Sequence, residues 1–127
     1  MNNRDTSPLA TERNNMNIQI FGASKCFDTK KAERYFKERK IKYQYVDLLR
    51  YGLSRGEFEN VKAAVGLQAL IDTQAKEYTM LNMQHFGLRS TAEETLFKNP
   101  KLYRTPIVRN GKQATVGYCP EVWKDWE

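Results

Sequence analysis

Polar and apolar residues alternate over Asn17–Phe21, "NIQIF", and this period predicts a first strand. "GASK" interrupts it. From Phe27 to Arg39 the spacing turns helical: Ala32 and Phe36 share a face with Tyr35 beside them, and Glu33 and Lys37 sit four apart as a favourable pair. "IKYQYVDL", Ile41–Leu48, is β-branched and aromatic and predicts a second strand. Strand, helix and strand within about 30 residues imply a parallel pair joined by a right-handed crossover.

The next run, "SRGEFENVKAAVG", pairs Ser54 with Glu57 as a capping box and sets Phe58, Val61 and Val65 on one helical face. "LQALID" and "AKEYTMLNM" predict short helices. "STAEETLFKNP" opens on capping residues, places acids in its first turn and stops at Asn99-Pro100. "TPIVRNGKQATVGY" holds two strand-like runs about Asn110-Gly111, a strong hairpin signal. "PEVWKDW" then starts a helix on Pro120, with Val122, Trp123 and Trp126 as its packing face. Gly117 is expected to allow a close backbone approach. The order β-α-β, helices, β-β-α predicts a small α/β domain, with a hairpin added to a parallel pair in a mixed sheet.

The chain has 127 residues, enough for one domain with an ordinary core. Met1–Asn15 is polar and reads as a flexible extension, or as a tag or upstream start ahead of Met16; the domain spans 16–127. The formal charge is +6, with bases interspersed among acids, so a solvated basic surface is the plain interpretation. Such a surface also attracts acidic partners. No zinc-finger or nucleic-acid signature is present, and direct nucleic-acid binding is not expected. His85 is the only histidine, so no metal site is expected. Tyr43, Tyr45 and Tyr51 read as structural tyrosines. No secretory or membrane-length apolar run occurs, and two distant cysteines form no disulfide framework, so a reducing, cytoplasmic setting is expected without membrane partners.

The candidate chemistry lies in "KCFDTKKA". Cys26 ends a strand–helix loop, where free N–H groups and the helix dipole favour a thiolate. Lys25, Lys30 and Lys31 add positive charge, and Asp28 opposes it. The competing role is that of a small inert apolar residue. Thr29 stands three residues on, where a dithiol oxidoreductase would carry a resolving cysteine. Cys-Phe-Asp-Thr therefore suits a monothiol mechanism, with the Thr29 hydroxyl donating to the thiolate. Thr29 also fits as a first-turn residue.

"IQIFGASKCFDTKKAERYFKERKIKYQYVDL", together with "RTPIVRNGKQATVGY", resembles the arsenate reductase (ArsC)-like family, which includes the Spx regulators and YffB-type proteins. The resemblance runs from Met16 to Glu127. It implies a thioredoxin-like fold, with a mixed four-stranded sheet and a helical insertion between its halves. It carries Cys26 over as the catalytic cysteine, and puts Thr29 where Spx has its second. Pro106 matches the cis proline beside the cysteine, with Thr105 preceding it. The family's anion-binding arginines are matched by Asp72, Thr73 and Gln74 after the insertion, by Thr105 before the proline and by Tyr118 after the hairpin. Arg104, one residue from the second position, is the remaining anion-binding candidate. An arsenate oxyanion calls for permanently charged, bidentate donors, so arsenate reduction is expected to be weak or absent.

The expected function is a thiol oxidoreductase. Cys26 is the nucleophile, stabilised by Thr29 and Lys30. It uses no bound cofactor; glutathione, or a glutaredoxin- or thioredoxin-type protein, serves as external reductant. Cys119 is either a resolving thiol or a packing residue at the start of the last helix. The alternative is a Spx-like, non-enzymatic regulator that binds RNA polymerase or another acidic partner.

Overall fold

A computed structural model describes residues 17–80 and 89–126. The expected extension at Met1–Asn15, and His85, lie outside the described residues. The chain runs β1 (Ile18–Gly22), α1 (Phe27–Glu38), β2 (Tyr43–Asp47), α2 (Leu48–Tyr51), α3 (Arg55–Val65), α4 (Leu67–Leu70), α5 (Lys76–Met80), α6 (Arg89–Lys98), a 3-10 turn (Pro100–Leu102), β3 (Ile107–Asn110), β4 (Gln113–Val116), α7 (Pro120–Trp123) and a closing 3-10 turn (Lys124–Trp126). Among the described residues no helix is long and apolar enough to cross a membrane.

The sheet order is β2-β1-β3-β4. β2 runs parallel to β1, with Ile20 opposite Tyr45, while β3 is antiparallel to both β1 and β4. Successive strand residues point to opposite faces, so this central strand feeds two cores. Ile18 and Ile20, with Val108 of β3, pack under Ala32, Tyr35 and Phe36 of α1 and under Trp123. Phe21 and Ile107 face the other way, onto Leu48, Phe58, Val61, Leu70 and Leu96 of the helical insertion. β1 is thus covered on both sides, which is why its apolar residues do not stop at a simple alternation.

Each end of α1 depends on particular residues. At its start Gly22 lets the helix sit against the strand: a Cβ there would lie 2.8 Å from Thr29 Oγ1. At its end Lys40 N–H donates to the Lys37 carbonyl and Ile41 N–H to that of Phe36, the paired bonds of a Schellman motif. That motif puts Lys40 at φ +59°, a conformation that normally falls to glycine and costs a lysine about 1 kcal/mol.

The capping box at α3 is complete: Ser54 Oγ accepts from Glu57 N–H, and Glu57 Oε1 accepts from Ser54 N–H. α6 begins one residue earlier than the pattern predicts, and its first turn carries no acid. Glu93 and Glu94 instead face α3, pairing with Lys62 at 3.1 Å and Arg55 at 3.0 Å. The hairpin also shifts by one residue. Asn110 pairs with Gln113 as the last strand residue, so the loop is Gly111-Lys112, with Gly111 at φ +62° as its first member. Gly117 is set by its φ of +87° rather than by crowding, since a Cβ there would meet nothing within 4 Å. The close approach expected of it belongs to Gly22.

Candidate functional site

Cys26 sits where β1 hands over to α1, as the N-cap residue of that helix, with extended backbone (φ −90°, ψ 120°). A tight turn delivers it there: its N–H donates to the Ala23 carbonyl at 3.0 Å. Its thiol is half-buried and donates to the Thr105 carbonyl at 3.5 Å. Thr105 precedes Pro106 across a cis peptide bond. The antiparallel pairing of β3 with β1 therefore brings a residue 79 positions away to the thiol.

Thr29 is 1% exposed, wedged against Gly22. Its hydroxyl oxygen accepts from Ala23 N–H at 3.3 Å, which leaves its proton free to donate. Burial pushes the Cys26 thiol up, and four polar groups pull it down further: the side chains of Thr105 and Thr29, then the backbone of Thr29 and of Asp28. The net result is a thiol below its ordinary pKa. The Thr105 carbonyl favours the neutral thiol instead. At 3.5 Å that contact is of ordinary length for sulfur.

All four groups are neutral. Lys30 gives its backbone N–H to the Cys26 carbonyl at 3.3 Å, as an ordinary helical bond, while its side chain stands exposed. Arg104 is exposed and its N–H pairs with the Leu70 carbonyl at 2.9 Å. Its charge is felt at Cys119, where it pulls the thiol down against a larger upward push from burial and from the charge of Glu121. Cys119 ends above its ordinary pKa; it packs beside Trp123's core and donates to the Val116 carbonyl at 3.4 Å. Both cysteines are free thiols. Asp72 caps its own turn, accepting from Gln74 N–H at 2.9 Å. Tyr118 stacks edge-on with Trp123, with Lys31 Nζ 5.7 Å from its ring centre.

Two neighbours of the thiol escaped sequence reasoning. Gly22 was readable only as part of a loop, because its role depends on the helix that returns over it. Tyr45, on β2, is lifted above its ordinary pKa by burial first and then by the charges of Asp47, Glu33 and Cys26. Among the described residues no three His, Cys, Asp or Glu side chains gather as a metal site.

Residues 21–126 match the ArsC family. Global transcriptional regulator Spx 2 of Oceanobacillus iheyensis is 31% identical over 106 residues, covering 81% of this chain and 78% of that protein. Global transcriptional regulator Spx of Listeria innocua is 28% identical, covering 80% of this chain and 79% of its own. In structure, an arsenate reductase from Vibrio cholerae superposes with a TM-score of 0.77 at 24% identity, over 88% of this chain and 98% of its own. The β-α-β unit, the helical insertion, the closing hairpin and helix, and the cysteine facing a cis proline are thus those of a thioredoxin-like fold, and the chain belongs to the ArsC family.

Proposed function

We propose that the protein is a monothiol oxidoreductase with Cys26 as its nucleophile. The observation that carries this reading is the placement of Cys26: a half-buried N-cap of α1, its thiol against the residue before cis Pro106, with Thr29 buried one turn along. The Cys26 thiolate attacks one sulfur of a disulfide R–S–S–R′. A Cys26–S–R bond forms, the S–S bond breaks, and R′–S⁻ leaves to take a proton from water. An external thiolate then attacks the R sulfur, forming a new disulfide and releasing Cys26. A second external thiolate then exchanges with that new disulfide and releases R–S⁻, so that two external thiols, joined as one disulfide, supply the two electrons that reduce R–S–S–R′. Glutathione, or a glutaredoxin- or thioredoxin-type protein, is the reductant this scheme needs, since position 29 holds no second thiol.

Neutral donors suit this chemistry better than arsenate chemistry. They stabilise a single negative charge on sulfur, whereas a multiply charged oxyanion calls for guanidinium partners. The test is the pH dependence of iodoacetamide alkylation at Cys26. A midpoint below the free-cysteine value of ~8.5 is expected, and one at or above it rejects the proposal.

The likeness to two transcriptional regulators favours a second reading, a regulator that binds RNA polymerase. It predicts a complex with the polymerase that survives Cys26→Ser. Loss of that complex in the variant, or no complex with either protein, counts against it.

A further inference from the structure

β2 is an edge strand, paired with β1 on one side only. Gln44 and Tyr45 on it are exposed, whereas β1 beside it is almost wholly buried. Between this edge and α1 lies an open groove of about 580 Å³, lined by Lys37, Lys40, Lys42, Ile41, Tyr43 and Tyr45, with Glu33 in its wall. Glu33 is already engaged, accepting from the Tyr43 hydroxyl at 2.8 Å. Among the described residues none of the three lysines is in an ion pair. The groove therefore carries a net positive charge, three lysines against Glu33, beside a row of unpaired backbone groups. We propose that it docks an acidic, extended segment of a partner protein, which adds to the sheet along β2 and runs toward Cys26.

Three observations bear on that occupant. A strand edge offers backbone donors and acceptors in register, which another extended chain satisfies and a phosphate backbone does not. Lysines at an edge also repel stray strands. Lys40 goes further, because it holds a left-handed conformation that glycine would adopt without strain, and so keeps its side chain in the groove at a cost. Finally, the parallel register sets Asp47, the last residue of β2, beside Gly22, so a strand added along β2 leads to the end of the sheet where Cys26 caps α1. The assignment deepens the oxidoreductase reading, for it makes the disulfide partner a protein that presents such a segment.

The probe is a blocked, fluorescent octapeptide of alternating valine and glutamate, titrated into full-length Cys26→Ser protein. Saturable binding is expected, with backbone amide shifts over Tyr43–Asp47. Lys40→Glu with Lys42→Glu weakens it at least tenfold. Lys40→Gly weakens it while raising the melting temperature, a pairing that a merely structural lysine does not produce. No binding, equal binding of the peptide with lysine in place of glutamate, or shifts away from β2 overturns the proposal. So does tighter binding of an equally charged oligothymidine at Tyr43 and Tyr45, which assigns the groove to nucleic acid. Because the variant lacks the thiol, this outcome is independent of the Cys26 alkylation test.

Discussion

Cys26 and Cys119 each cap a helix, each is half-buried, and each points its S–H at a backbone carbonyl, Thr105 at 3.5 Å and Val116 at 3.4 Å. Their pKa values move in opposite directions. Burial raises both. At Cys26 the polar groups of Thr105, Thr29 and Asp28 then pull down more than burial pushes up. Cys119 meets one hydroxyl, that of Thr115, whose oxygen also accepts from Trp123 Nε1 at 2.8 Å, and it faces the negative charge of Glu121. Neither sulfur takes a helix-cap bond: Lys30 N–H goes to the Cys26 carbonyl, and Val122 and Trp123 N–H go to that of Cys119. A helix start alone does not set the direction of the shift; the hydroxyls and charges around the sulfur do.

The largest expected effect is in competition for a limiting alkylating agent near neutral pH. Cys26 reacts ahead of Cys119, each unit between the two pKa values counting for about tenfold in thiolate fraction. Mass mapping of the labelled peptides measures this, and preferential labelling of Cys119 breaks the comparison. Next is Thr29→Val, which removes a donor from Cys26 and orphans the Ala23 N–H. Stability in urea should fall by about 1–3 kcal/mol. The Cys26 midpoint should rise, with Thr29→Ser retaining most of both properties.

The two thiols should also tilt stability against pH in opposite ways. Cys26 is depressed on folding, so its contribution is fully present above the ordinary thiol pKa and is lost as pH falls through the depressed value. Cys119 is raised, so its contribution is present below the ordinary value and is lost as pH rises through the elevated one. Urea midpoints of Cys26→Ala and Cys119→Ala across pH 6–10 should diverge from the parent in opposite senses; parallel curves would remove the distinction. Smallest is Glu121→Gln, which should lower the Cys119 midpoint, an effect that shrinks with salt.

Much of this was legible in the sequence where the signal was local. The opening β-α-β unit, the Ser54–Glu57 box and the strands at Ile107–Asn110 and Gln113–Val116 each follow from spacing or turn chemistry within a few residues. The offsets arise where a neighbour decides. Asn110 stays in the ladder because Gln113 is its partner, and Glu93 and Glu94 leave the first turn of α6 for bases on α3. The position of Cys26 was readable, and Thr29 at the third residue was a visible donor. The role of Thr105 followed only from family resemblance, because nothing near Cys26 in the chain announces a partner 79 residues away. The groove at β2 was invisible, since Lys37, Lys40 and Lys42 look like an ordinary solvated run until the strand edge lies beside them.

The contact between Gly22 and Thr29 has a further consequence for how the site can change. Where strand and helix press so closely, position 29 accepts only a small side chain. Cysteine is no bulkier than threonine, so Thr29→Cys needs no repacking of the core. A swap of matched volume would thus set a second sulfur three residues from Cys26, with the bond from Ala23 N–H to the Thr29 hydroxyl as the contact given up.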